Sequence, residues 1–189
     1  MKYVVETERI TYTGKEIEPL WTFKRYGIQE DSIIAFRGPM EVDLSQMKDL
    51  ADIKQLEPIS ADDAVNFIVE HFDYPDLRTT YLRQRLLISV IKEILEDMTG
   101  QFIIRKGDDL YYLGKLSVSI ATCGITSGKI HVGINVTLSG IPEDVEASSL
   151  ETLGITDDSQ IREFMELVCI RYIHEIEIIE KDIRKTMTI

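Results

Sequence analysis

Cysteine is scarce in this sequence, and the placement of its two cysteines excludes several kinds of protein. Cys123 and Cys169 lie far apart, and no Cys-x-x-Cys pair or His/Cys cluster accompanies them. Two isolated cysteines do not make the disulfide framework of a small secreted protein, and they offer no zinc site. They are typical of a reducing compartment, so we expect a cytoplasmic protein.

Long apolar runs are also missing, and their absence excludes a membrane-spanning helix. No stretch approaches the roughly 18 apolar residues that such a helix needs. The first ten residues carry acidic side chains and no apolar signal core. We therefore expect neither a membrane segment nor a secretory leader.

Basic residues are outnumbered, with 21 Lys and Arg against 33 Asp and Glu and a formal net charge of -12. This balance disfavours non-specific binding to nucleic acid or to an anionic membrane, so we expect neither partner. A small anionic ligand remains compatible, because a local site can oppose the overall charge. The 189 residues, 44% of them apolar, predict a single domain over residues 1–189 with a sizeable core.

Residues 105–138 hold the most informative pattern. Alternation with a period of two predicts two strands joined by a loop at residues 122–129. We expect one face to be apolar and to lie on the core: Leu116, Val118 and Ile120 with Ile130, Val132, Ile134, Val136 and Leu138. The opposite face would carry Lys115, Ser117, Ser119, Ala121, His131, Gly133, Asn135 and Thr137.

This second face is unusual because several of its side chains are small. Exposed strand faces favour β-branched and aromatic residues, whereas short side chains leave room for a ligand or another backbone. One ammonium, one imidazole and one amide would then supply hydrogen bonds at fixed points. A solvated sheet face with no ligand explains the same pattern equally well.

Elsewhere the chain predicts both strands and helices. We expect strands over residues 2–13 and 32–36, the second ending in a turn at Arg37-Gly38-Pro39. Helices are predicted over residues 18–26, from Ser60 to Phe72, over residues 77–98, and beyond an Asp157 cap. The apolar stripe of the last helix favours packing on a sheet, and it could also serve as the seam of a homodimer.

Three short motifs in the hairpin region carry a family resemblance. Asp109-Leu110-Tyr111, Gly114-Lys115-Leu116-Ser117 and Gly133-Ile134-Asn135 follow the order seen in biotin and lipoate protein ligases. Over its whole length the chain resembles a mainly archaeal family, domain of unknown function 366, through Trp21, Asp31-Ser32, Phe36-Arg37-Gly38 and residues 105–109, 115–122 and 131–135. The resemblance implies an α+β fold of the class II aminoacyl-tRNA synthetase and biotin/lipoate ligase type, with a mixed, largely antiparallel sheet backed by helices.

The resemblance also implies roles for individual residues. Lys115 matches the ligase lysine that contacts the carboxylate being activated, and it is the predicted catalytic residue. Substrate contacts are predicted for Arg37, Ser117, Ser119, His131, Gly133 and Asn135. Binding of the cofactor, expected to be ATP with Mg²⁺, is predicted for Gly38, Arg105 and Gly107, with Asp108 and Asp109 as the metal ligands.

Each of these residues also has a structural interpretation. Lys115 could be a solvated hairpin lysine, and His131 a satisfied structural histidine. Asp108 and Asp109 could cap the turn before the strand, and Asn135 could pin neighbouring backbone. The sequence leaves these alternatives open.

One departure from the ligases separates two hypotheses on function. The arginine- and glycine-rich loop that wraps the cofactor in those enzymes is missing, and Phe36-Arg37-Gly38-Pro39 is its nearest remnant. The first hypothesis is an enzyme that activates or transfers a small carboxylic acid through a nucleotide-linked intermediate. The second is a non-catalytic module that binds a small ligand or a partner and has lost adenylation.

Overall fold

A computed structural model describes residues 1–55, 59–73, 75–142 and 144–187. The strands are β1 (Lys2–Val5), β2 (Ser32–Val42), β3 (Ile59–His71), β4 (Ile104–Lys106), β5 (Asp109–Tyr112), β6 (Gly114–Lys115), β7 (Ser117–Cys123) and β8 (Gly128–Asn135). The helices are α1 (Trp21–Tyr26), α2 (Leu50–Gln55), α3 (Leu77–Thr99) and α4 (Asp158–Lys185). The predicted α+β class is confirmed.

Five strands form the main sheet in the order β1-β2-β3-β8-β7. Only the β1–β2 pair is parallel, and the other three pairs are antiparallel. Strands β4, β5 and β6 form a separate small antiparallel sheet. The edge strand β7 contacts β5, so the small sheet lies beside that edge.

The two faces of the main sheet are covered differently. On one face α3 and α4 bury apolar side chains such as Phe67, whose ring meets that of Phe164 edge-on at 5.9 Å. On the other face Ile34 and Phe36 are buried with Tyr12, Ile17 and Met47 from irregular segments. Both faces are therefore excluded from water over most of the central strands.

The helix predicted from Ser60 to Phe72 is wrong, because these residues form β3 in the middle of the sheet. This strand pairs with β2 on one side and β8 on the other. A strand covered on both faces carries an almost continuous apolar run instead of a clean alternation. The spacing of Ala64, Val65, Ile68 and Phe72 therefore imitates a helical stripe.

The turn predicted at Arg37-Gly38-Pro39 is also wrong, since β2 continues through it to Val42. Gly38 is required there because residues 6–12 run alongside the strand. A Cβ atom at Gly38 would lie only 2.1 Å from the carbonyl oxygen of Ile10. The strand predicted over residues 2–13 is accordingly short: regular pairing ends at Val5, and Tyr12 adds one isolated bridge to Met40.

The hairpin exists, but its first strand is turned over relative to the prediction. In the β7–β8 register Ser117 pairs with Ile134, Ser119 with Val132 and Ala121 with Ile130. Directly paired residues share a face, and a shift of one residue exchanges the faces of a strand. The small residues of β7 therefore lie on the helix side, whereas Val118 and Ile120 share the face of Gly133 and His131.

The two long helices are confirmed. Asp76 caps α3 through its side chain, and Gly100 ends it with a φ of 68°. Asp157 and Gln160 form the predicted capping box at the start of α4. Within the parts of the chain that the structure describes, no helix combines the length and hydropathy needed to cross a membrane.

Candidate ligand-binding site

A cleft of about 500 Å³ opens where the edge strand β7 meets the small sheet. It collects half of the predicted site residues, namely Lys115, Ser117, Ser119, Asn135, Asp108 and Asp109. Its apolar wall comes from Met40, Ile59, Val118, Ile141 and Pro142. Asp49, Ser60 and Asp144 also line it. The cleft therefore has a polar end beside β5–β7 and a mixed, partly apolar body beside β2 and β3.

Backbone hydrogen bonds to a neighbouring segment hold Lys115 at the polar end of the cleft. Its N–H donates to the carbonyl of Glu146 at 2.7 Å, and its carbonyl accepts from Ser148 N–H at 2.9 Å. A Cβ atom at Gly114 would lie 2.6 Å from the carbonyl carbon of Ala147, so only glycine permits this close approach. The neighbouring chain thus fixes the point from which the lysine side chain extends.

The ammonium of Lys115 has a carboxylate partner. Its Nζ lies 3.1 Å from Asp109 Oδ2, and the side chain keeps about a third of its surface exposed (35%). Burial raises the pKa of Asp109 above its ordinary value, even though Lys115 acts in the opposite direction. A ligand anion that reaches Lys115 would share the ammonium with Asp109 or displace it.

Asp108 is held in a network that joins the β4–β5 turn to α3. Its Oδ1 lies 2.8 Å from Arg85 Nη1, and its Oδ2 accepts from Ser119 Oγ at 3.1 Å and from Gln84 Nε2 at 3.2 Å. Burial alone would raise the pKa of Asp108, but Arg85 outweighs it and the pKa is lowered. This carboxylate is charged and already has donors, so it anchors the turn that carries Asp109.

The amide and hydroxyl groups in the cleft have structural partners as well. Asn135 Nδ2 donates to the carbonyl of Ser148 at 3.0 Å, and it is 3.4 Å from that of Lys115. Ser117 Oγ accepts from Leu110 N–H at 2.8 Å. These bonds join β7 to β5, and they join β8 to β6 and to the segment at Ser148.

His131 and Gly133 share the cleft's face of β8 but do not line the cleft. His131 is buried, its ring stacks on Tyr12 at 3.6 Å, and its Nε2 lies 2.9 Å from Asn66 Oδ1. It lines a separate cavity of about 40 Å³. Met40 covers Gly133, since a Cβ atom there would lie 2.7 Å from the Met40 sulfur.

The remaining predicted residues lie outside the cleft. Arg37 is on the helix face of the sheet, where it pairs with Asp63 through Nη2 at 2.6 Å and with Asp158 through Nη1 at 2.7 Å. Gly38 packs against Ile10, as described above. Arg105 is exposed on the small sheet, and its Nη1 donates to the carbonyl of Gly107 at 2.9 Å.

Several cleft residues carried no recognisable sequence signal. Beside the cleft, Gln84 and Arg85 of α3 hold Asp108 in place without lining the cleft themselves. Met40 and Ile59 come from strands more than 50 residues before the hairpin. They reach the cleft through the pairing of β2 with β3, which no local sequence pattern predicts.

Whether the cleft can hold a metal ion depends on its carboxylate side chains. Among the residues that the structure describes, no group of three or more His, Cys, Asp or Glu side chains could hold a metal. Mg²⁺ needs few protein ligands when it binds with phosphates. Asp108 and Asp109 form no ready-made site by themselves, and their role as Mg²⁺ ligands stays a prediction.

Comparison with known proteins places the chain in a family. The family model described as domain of unknown function (DUF366) matches residues 1–187. An uncharacterised protein of Methanocaldococcus jannaschii is 50% identical over 99% of this chain and 85% of its own length. A protein of unknown function from Pyrococcus horikoshi superposes with a TM-score of 0.93, with 38% identity and full coverage of both chains.

Two more distant structures identify the fold. A biotin protein ligase from Aquifex aeolicus, solved with biotin and ATP, has a TM-score of 0.62 and 16% identity over 93% of this chain and 70% of its own. A putative lipoate protein ligase from T. acidophilum, solved with lipoic acid, has a TM-score of 0.56 and 11% identity over 81% of this chain and 77% of its own. The predicted class II synthetase and biotin/lipoate ligase-like fold is confirmed. By its family match over nearly the whole length, the chain belongs to the DUF366 family.

Proposed function

We propose that this protein binds a small carboxylic acid in the cleft, with the carboxylate at Lys115 and the apolar body along Val118 and Met40. The observation that carries the proposal is that Lys115 lines a cleft together with the apolar side chains of Met40 and Val118. Concave sites of this size with few convergent polar groups are the usual form of small-molecule sites. Biotin and lipoic acid, named with the two fold neighbours, are ligands of this chemical kind.

We further propose that the protein acts on the acid, as a ligase or acyltransferase, through a nucleotide-linked intermediate. ATP, when bound, would supply the α-phosphate that accepts the carboxylate, and pyrophosphate would leave as the bond between the α- and β-phosphates breaks. Bringing a carboxylate close to a phosphate joins two anions, and a fixed ammonium offsets their repulsion. Lys115 is the group we assign to this task, because its backbone is clamped on both sides and the residue lines the cleft.

A non-catalytic binding module is the second candidate, and the charge of the cleft favours it. Lys115 already has Asp109 as a partner, and the same cleft is lined by Asp49, Asp108 and Asp144. Arg37, the predicted second anion contact, pairs with carboxylates on the opposite face of the sheet. A phosphate-rich ligand would therefore meet few cations.

Pyrophosphate exchange with ATP and a panel of small acids tests the enzymatic proposal. We expect exchange with at least one acid, lost in Lys115→Ala and kept in Lys92→Ala. Lys92 is a matched control because it is also ion-paired and partly exposed, with Nζ 2.6 Å from Glu96, and it lies on α3 outside the cleft lining.

A thermal-shift screen of the same acids, with and without ATP, separates the two candidates. Stabilisation by an acid alone, without pyrophosphate exchange, would favour the binding module. No stabilisation by any acid under either condition would refute both.

The homodimer stays a prediction, supported by the exposure of Ile179 and Ile183 near the end of α4.

A further inference from the structure

Strand β8 contributes residues to two cavities. Because alternate residues share a face, His131, Gly133 and Asn135 follow one another along that face. Asn135 lines the large cleft, and His131 lines the small cavity of about 40 Å³. The two cavities also share Asp49, Ile59, Val118 and Ser119 as wall residues. The two cavities are therefore neighbours, and Gly133 lies between Asn135 and His131 on the strand.

Met40 fills the space above Gly133. Its side chain is 1% exposed, and its sulfur would lie 2.7 Å from a Cβ atom at Gly133. It lines the large cleft but not the cavity at His131. The glycine therefore leaves a gap beside β8, and the thioether closes that gap from β2.

A methionine side chain is suited to closing the end of a cleft and so limiting the size of the ligand that fits. Its side chain is unbranched, has three rotatable bonds and adapts to irregular spaces. The wall of the cavity beyond it is mostly apolar and includes Ile17, Val42 and the stacked rings of Tyr12 and His131. Gln46, Lys48, Asp49 and Ser119 complete the lining. Burial holds the pKa of His131 at about 3, so this ring is neutral and presents no charge to the space beyond Met40.

We propose that Met40 sets the length of the acid that the cleft accepts. This inference rests on the proposed binding of a carboxylic acid at Lys115. The ligand class is a straight-chain acid whose carboxylate lies at the polar end and whose tail passes Val118 and stops at the Met40 sulfur. Without the thioether, the channel would extend along β8 from Asn135 to His131, about 13 Å for four residues of strand.

The test measures affinity against chain length by titration calorimetry, with straight-chain acids from butanoate to dodecanoate. We expect wild-type affinity to rise with length to a limit and then to fall. In Met40→Ala the limit should move to longer acids, and the first acid that wild type rejects should bind at least tenfold more tightly. Met40→Val, which removes less of the side chain, should move the limit in the same direction and serves if the alanine variant does not fold.

Two controls make the outcome specific. Met165→Ala removes another buried methionine, from α4 on the other face of the sheet, and should leave the limit unchanged. Combining Met40→Ala with Lys115→Ala should abolish the gain, since binding of the longer acid must still depend on the ammonium.

Two results would overturn the inference, and they can be told apart. Acids that bind with the same length limit in wild type and both Met40 variants would refute the role of Met40 and leave the proposed function intact. Failure of every acid to bind wild type and every variant would refute the proposed function together with the inference.

Discussion

Acidification should weaken this fold through His131. The ring is 2% exposed, stacks on Tyr12 at an interplanar angle of 12°, and meets Asn66 Oδ1 at 2.9 Å. Burial lowers the pKa of His131 from the ordinary 6.5 to about 3. The folded protein therefore keeps this imidazole neutral at pH values where an unfolded chain would protonate it.

The sign and size of the effect follow from proton linkage. Between pH 6.5 and pH 3 the unfolded state binds a proton at this site that the folded state does not, so the free energy of unfolding falls as the pH falls. Each pH unit below 6.5 removes about 1.4 kcal/mol. The loss is about 2 kcal/mol at pH 5, and the contribution is fully restored above pH 7.

Urea denaturation at pH 8, 7, 6 and 5 measures this loss. The His131→Gln variant should lose about 2 kcal/mol less than wild type between pH 8 and pH 5, whatever its stability at pH 8. His174→Gln is the matched control, because His174 is exposed on α4 and its removal should leave the pH dependence of wild type. Equal pH dependence in wild type and His131→Gln would refute a neutral buried imidazole.

Two other substitutions test the electrostatics around the sheet. Lys129→Met should lower the free energy of unfolding by about 3–5 kcal/mol in urea denaturation, because it leaves the fully buried Glu70 without its cation. Adding Glu70→Leu to Lys129→Met should recover most of this loss. An unchanged loss in the double variant would contradict the explanation. Arg37→Met should cost about 1.5–3 kcal/mol through its lost bonds to Asp63, yet leave acid binding unchanged by calorimetry. Weaker acid binding in that variant would instead place Arg37 in the site.

Local sequence was sufficient for the features whose causes are local. The cap at Asp157, the stop at Gly100 and the apolar stripes of α3 and α4 depend on residues within a few turns of each other, and all were predictable. The hairpin motifs also led to Lys115, Asp108 and Asp109, because these residues are close in sequence and lie beside one edge strand. Half of the predicted site residues meet in one cleft for this reason.

Pairing between distant strands could not be read in the same way. Residues 59–71 carry a helix-like spacing, yet they lie between β2 and β8 and are buried on both faces. The resemblance to a ligase loop predicts a substrate contact for Arg37, but the register of β2 directs it to the helix side, where it pairs with Asp63 and Asp158. The observed β7–β8 register differs by one residue from the predicted one, so Ser117 and Ser119 lie on the face opposite His131.

The sequence by itself determined the two long helices, the hairpin, the α+β class and the position of Lys115 at the start of the hairpin. Helix propensity, capping and alternation act over short distances in the chain. Only the tertiary structure decided which face each strand presents and what fills the space beside it. Met40 over Gly133 and Arg85 beside Asp108 are contacts between segments far apart in the chain. Side chains on a strand alternate, so the register of distant partners determines what enters the cleft.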